Sequence, residues 1–153
     1  MPQSEGLGMM QKDNRTIAFV CTGNTCRSSM AEAIFNDMAE KNGVRVRAES
    51  FGIATSTGLP VSENSVIVCK EIGIDLSGKA STAVADAGIE KYEKFYCMLQ
   101  SHAKMLMQFF LVQPEKIAVL GISDPYGGDI EVYRHCRDEI VNSVKEILKA
   151  YEN

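Results

Sequence analysis

Apolar runs alternate along this chain with stretches whose apolar positions recur every three or four residues, the pattern of strands alternating with helices. The apolar run over 16–21 predicts a first strand. A helix is predicted over 29–42, because Met30, Ile34 and Met38 recur at four-residue spacing and Gly43 supplies a stop. Residues 44–50 alternate as a second strand, and Gly58 and Pro60 mark a loop. The spacing then predicts a helix over 62–72 ending at Gly73, a short third strand over 94–98, a Met-rich helix over 101–111 and a fourth strand over 116–120. From Ile130 onward, Tyr133, Cys136, Ile140, Val144, Ile147 and Tyr151 fall at three- or four-residue intervals, which is one long closing helix. This order predicts a doubly wound α/β fold, a four-stranded parallel sheet flanked by helices. At 153 residues the chain is expected to form a single domain over 15–153, with 1–14 as a disordered extension.

The junction of the first strand and first helix carries the densest chemistry. Phe19-Val-Cys-Thr-Gly-Asn-Thr-Cys-Arg-Ser28 places Cys21 at the strand end and Arg27 six positions on. Gly23 and Asn24 at its centre tolerate unusual backbone angles, so the loop can turn its amides inward. It runs into a helix N-terminus, where unpaired N–H groups and the dipole favour an anion. The same forces and a neighbouring guanidinium can lower a thiol pKa from about 8.5 into the range ~3.5–7.5. A phosphate-binding loop that also holds a thiolate is therefore expected after the first strand. In such a sheet, ligands lie beyond the carboxyl ends of the strands, an edge that Asp124, after the fourth strand, can also reach.

This loop resembles the signature of the low-molecular-weight protein tyrosine phosphatases: Cys, any five residues, Arg, then Ser or Thr. Asp124-Pro-Tyr126 matches that family's Asp-Pro-aromatic motif after the last strand. The resemblance continues in Ser50-Phe-Gly52, in Gly73-Ile-Asp-Leu-Ser77 and from Met98 to His102, so it covers roughly residues 15–152. It implies a cysteine-dependent protein phosphatase acting through a phosphocysteine intermediate, with no metal or other cofactor. Cys21 would attack phosphorus while Arg27 and the amides of Thr22, Gly23, Asn24, Thr25 and Cys26 bind phosphoryl oxygens. Asp124 would act as acid and then base. The family's loop Asn and Ser carry onto Asn24 and Ser28, which would hold the loop's geometry and the thiolate, and its cleft aromatic onto Tyr126. The implied partner is a phosphorylated protein, with phosphate or vanadate as a loop ligand. Thr25 stands where tyrosine-directed members carry an aliphatic residue and where the bacterial arginine-phosphatase branch carries Thr. Asp124-Pro-Tyr-Gly-Gly128 also resembles that branch, so phosphotyrosine and phosphoarginine both stay open as substrates.

Three positions depart from the family pattern. Ser29 replaces a common Pro, which loses a preset helix start but leaves the amides free. Lys79 stands where most members place a His that supports the loop Asn; an ammonium accepts no hydrogen bond, so the loop is expected to be held differently. Glu93-Lys94 replaces an Asp before the third strand, with no account from the sequence. A net charge of −4 argues against nucleic acid as a partner, and no apolar run approaches the roughly 20 residues of a membrane span. Five cysteines without a repeated spacing suit a reducing compartment, so the expected location is cytoplasmic. Cys69, Cys97 and Cys136 fall on apolar faces and are expected in the core; His102 is expected to cap a helix, His135 to be solvated, and the Met105, Met107, Phe109 and Phe110 cluster to be core rather than a cofactor site. A thioredoxin-coupled arsenate reductase shares this loop but needs a relay of further cysteines on a mobile segment, whereas Cys69 and Cys97 lie in a predicted helix and strand.

Overall fold

A computed structural model describes residues 15–152; the extension expected over 1–14 lies outside the described residues. The strands are β1 (Arg15–Cys21), β2 (Val46–Gly52), β3 (Lys94–Cys97) and β4 (Ile117–Val119), and the helices α1 (Arg27–Lys41), α2 (Glu63–Lys70), α3 (Val84–Ala87), α4 (Gln100–Phe110) and α5 (Ile130–Lys149). Every strand pair is parallel and the order is β2-β1-β3-β4, the doubly wound arrangement the sequence predicts. The chain passes from β1 to β2 on one side and then crosses back to β3 on the other side of β1. That makes the C-terminal end of β1 a switch point, where a crevice opens beyond the sheet.

β1 is buried on both faces, which is why its sequence is an unbroken apolar run. Alternate residues feed two cores. Ile17, Phe19 and Cys21 pack with the buried faces of α1, α2 and α5, whereas Ala18 and Val20 pack with α3, α4 and Phe95. The predicted stripe of α5 is the buried one, from Tyr133 through Cys136, Ile140 and Val144 to Ile147, and Asp129 caps its start by accepting from the Val132 amide at 3.1 Å. Cys69, Cys97 and Cys136 are buried as expected.

The structure corrects several boundaries. α1 begins at Arg27, two residues before the expected start, because the loop's own last residue already has helical geometry. β2 runs to Gly52 rather than ending at Ser50, and α2 stops at Lys70. The short α3 carries no long apolar period and was not predicted. The Met-rich cluster is only partly core. On α4 the face at His102, Ala103 and Leu106 is buried, which turns Met105 and Phe109 to solvent, while Met107 and Phe110 are partly buried beside the core. Glu93 finds its account here: it grips Arg15 through two hydrogen bonds of 2.8 and 2.9 Å, and the Arg15 guanidinium lies 5.1 Å over the Tyr151 ring, tying the start of β1 to the segment before β3 and to the chain's end.

Candidate active site

Cys21 ends β1 and Arg27 begins α1, so the intervening loop spans the crevice. Asn24 takes the left-handed conformation, with φ of 57°, and is fully buried; Gly23 is not among the residues of positive φ, so the turn rests on Asn24 alone. The loop's carbonyls are held outward. Cys21 O accepts from Ile53 N at 2.9 Å, Thr22 O from Ala54 N at 3.0 Å, Asn24 O from the Ser29 hydroxyl at 2.6 Å and Thr25 O from Ser62 N at 2.9 Å. Peptide units pinned this way turn their N–H groups to the opposite side, toward a cavity of about 200 Å³ lined by residues 21–27 together with Asp124 and Tyr126. Gly52 makes the arrangement possible: a Cβ there would lie 2.6 Å from Thr22 O, so only glycine lets the end of β2 approach the loop backbone.

The side chains behind the loop fix one direction of hydrogen bonding. The Thr82 amide donates to Asn24 Oδ1 at 2.8 Å, which orients the carboxamide and aims Nδ2 at Ser28 Oγ (2.7 Å) and Ser50 Oγ (2.9 Å). The Ser50 hydroxyl donates to Glu32 Oε1 at 2.6 Å, and Ser29 gives its proton to Asn24 O. Ser28 Oγ lies 2.8 Å from Cys21 Sγ, where the hydroxyl is the donor to a thiolate, and the Asn24 amide donates to the same sulfur at 3.2 Å. Cys21 is nearly inaccessible, at 3% exposure.

Lys79 is drawn into this relay from its outer end. Its ammonium lies 2.9 Å from Glu32 Oε2, with both side chains largely buried. The loop Asn is thus supported by a backbone amide and by a Ser50, Glu32 and Lys79 chain, as the departure at Lys79 required. Ser29, in place of the usual Pro, adds the hydroxyl that closes on Asn24 O. Glu32→Gln, which weakens the acceptor at the centre of this chain, is expected to lower kcat on an aryl phosphate about tenfold with little change in KM. A kcat within twofold of wild type, by steady-state kinetics, would remove the relay from loop positioning.

Across the cavity, Arg27 is 2% exposed, donates from one nitrogen to Ile122 O at 2.9 Å and holds another 3.7 Å from Asp124 Oδ2. Asp124 is half exposed and Oδ1 accepts from the Tyr126 amide at 3.0 Å, while the Tyr126 ring is 80% exposed at the rim. Thr25 and Cys26 complete the lining; the Cys26 thiol turns away, donating to Ser62 Oγ at 3.4 Å beside Tyr133, whose hydroxyl burial holds at a pKa of about 12. Nine of the ten residues singled out in the sequence thus line one crevice, and the tenth, Ser28, is buried behind the loop against Cys21 and Asn24. Ser50, Glu32 and Gly52 escaped individual notice, although the spacing of Ser50 and Gly52 on one strand puts both on the same face, under the loop. No group of three or more metal-ligating side chains occurs among the described residues.

The sequence model of the low molecular weight phosphotyrosine protein phosphatases matches residues 16–153. The chain belongs to that family. Its relatives include the protein-arginine-phosphatase of Bacillus subtilis (strain 168), 31% identical over 142 residues that cover 87% of this chain and 94% of the relative. A low molecular weight protein tyrosine phosphatase from T. tengcongensis superposes with a TM-score of 0.84 at 32% identity, covering 90% of this chain and 99% of its own. The YwlE arginine phosphatase, solved as a Cys-to-Ser mutant with a phosphorylated active site serine, gives 0.83 at 30% identity, over 88% and 94% of the two chains. An arsenate reductase of Brevibacillus brevis is also similar, 30% identical over 92% of this chain and 99% of the relative. As a member of this family the protein is a cysteine-dependent phosphatase, with the four-stranded parallel sheet those structures share. Among the described residues, no helix of this phosphatase is long and apolar enough to cross a membrane.

Proposed function

We propose that this phosphatase hydrolyses phosphorylated protein side chains through a phosphocysteine on Cys21, and accepts arginine phosphate at least as well as tyrosine phosphate. The observation that carries the mechanism is the Cys21 sulfur, held by the Asn24 amide and the Ser28 hydroxyl at the floor of a cavity lined by Arg27 and Asp124. The Cys21 thiolate attacks phosphorus. As the S–P bond forms, the bond to the leaving oxygen or nitrogen breaks, and Asp124 gives that atom its proton. The loop amides and Arg27 hold the three remaining oxygens as charge spreads over them. The Asp124 carboxylate then takes a proton from water, whose oxygen attacks phosphorus and releases phosphate and the thiolate. No step calls on a metal. The phosphorylated serine reported for the YwlE mutant supports a nucleophile at the matching place. A free thiolate needs a reducing compartment, which favours the cytoplasm.

Despite the similarity to an arsenate reductase, the cysteines weigh against an arsenate relay. Cys69 and Cys97 are fully buried, and burial pushes each thiol up to about 12, so neither is a ready nucleophile for a disulfide cascade.

For substrate choice, Thr25 lines the cavity with a hydroxyl where an aliphatic chain would suit an aromatic ring, and one aromatic, Tyr126, follows Asp124-Pro125. Thr25→Ile is expected to shift the ratio of kcat/KM toward phosphotyrosine by about tenfold, equivalent to ~1.4 kcal/mol. Wild type and variant are assayed side by side on both phospho-residues. A wild type that ignores phosphoarginine while cleaving phosphotyrosine well would make this an ordinary tyrosine phosphatase.

A further inference from the structure

His102 stands apart from the machinery above, yet it touches the loop. It is the third residue of α4, 4% exposed, at the carboxyl edge of the sheet beyond β3. Its Nδ1 lies 3.1 Å from the Leu99 backbone nitrogen, and its Nε2 2.9 Å from Thr22 Oγ1. A backbone N–H only donates, so Nδ1 must be the accepting nitrogen, and the ring's proton sits on Nε2 and is given to the Thr22 oxygen. Protonating Nδ1 would set donor against donor. Burial and then the nearby Arg27 cation keep the ring neutral, with its pKa lowered to about 4, so this tautomer persists at working pH. With one lone pair of Thr22 taken by His102, the hydroxyl's own proton has no acceptor among the described residues. Thr22 is exposed and lines the cavity.

We propose that the Thr22 hydroxyl is a further donor to a phosphoryl oxygen in the cavity, and that His102 is the positioning residue that directs it there. This inference rests on the phosphate-binding reading of the loop. It adds a side-chain donor to a cradle otherwise built from amides and a guanidinium, and it couples the first residue of the loop to the first turn of α4.

Competitive inhibition by inorganic phosphate, with para-nitrophenyl phosphate as substrate, tests it in a double-mutant cycle. A hydrogen bond to a charged group is worth ~1.5–3 kcal/mol, so Thr22→Val should raise the phosphate Ki about tenfold or more, while Thr22→Ser, which keeps the hydroxyl, should stay near wild type. His102→Phe should raise Ki to a similar extent, His102→Gln, with an acceptor and a donor, should recover part of the loss, and the Thr22→Val, His102→Phe double variant should be no worse than either single one. Multiplied effects in the double variant would show that His102 acts elsewhere than through Thr22. A wild-type Ki in Thr22→Val overturns the proposal outright, and leaves the phosphatase reading intact provided phosphate still competes. Thr22 is exposed, so if His102→Phe fails to fold, the contrast between Thr22→Val and Thr22→Ser decides alone.

Discussion

Cys21→Ser is expected to abolish hydrolysis of an aryl phosphate, and Arg27→Ala to do the same. Serine keeps the hydrogen bonds to Ser28 and to the Asn24 amide, so the loop should survive while the proposed nucleophile does not. Among the described residues a neutral hydroxyl in that place has no base in contact to activate it, and the proposed phosphocysteine route is closed. Arg27→Ala removes the only side-chain cation lining the cavity among the described residues, and with it the charge proposed to balance the transferring phosphoryl group. The same change strips Ile122 O of its buried donor, at a cost of ~1–3 kcal/mol, so circular dichroism and a thermal melt accompany the assay. Phosphate release is measured with EDTA present. If Cys21→Ser keeps even a tenth of wild-type turnover there, hydrolysis does not pass through this sulfur.

Asp124→Asn should divide substrates by leaving group. Nitrophenolate departs without a proton, whereas a poor leaving group, of high pKa, needs one. The loss should therefore approach the ~10²–10⁴-fold typical of general acid catalysis for the second kind, and be much smaller for the first. Asn keeps an oxygen that can accept from the Tyr126 amide, so the turn itself is conserved in this comparison. Equal losses on both substrates, taken from kcat/KM, would make Asp124 a turn residue without a part in proton transfer.

Much of this site was legible because its chemistry is packed into one short segment. Cys21, Arg27 and Ser28 sit within eight residues, and the strand-to-helix transition that presents them follows from hydrophobic period alone. Asp124 was legible through its motif, not through any local period. The supporting layer was not legible in this way. Glu32 lies mid-helix, and nothing in its neighbours separates it from a solvated glutamate until Ser50 and Lys79 come within hydrogen-bond reach from two other parts of the chain. His102 was legible as a capping residue, and its ring does accept from Leu99 N. Its second contact, on Thr22, depends on β1 and β3 being neighbours, which is a property of strand order and not of sequence spacing. The Met-rich helix misled because thioether and aromatic side chains predict burial by type, while α4 covers the sheet with only one of its faces.

The outward carbonyls of the loop bear on how a ligand is received. Those of Cys21, Thr22, Asn24 and Thr25 are already satisfied by the amides of Ile53, Ala54 and Ser62 and by the Ser29 hydroxyl, so the cradle reaches its final shape when the chain folds and not when an anion arrives. Binding an oxyanion then freezes almost no backbone, and calorimetry with phosphate should register little loss of chain entropy and the same heat-capacity baseline for a bound and an empty protein. The proposed anion site is then a by-product of folding stability: whatever loosens the contact between β2 and the loop at Gly52 should weaken phosphate binding and lower the melting temperature together.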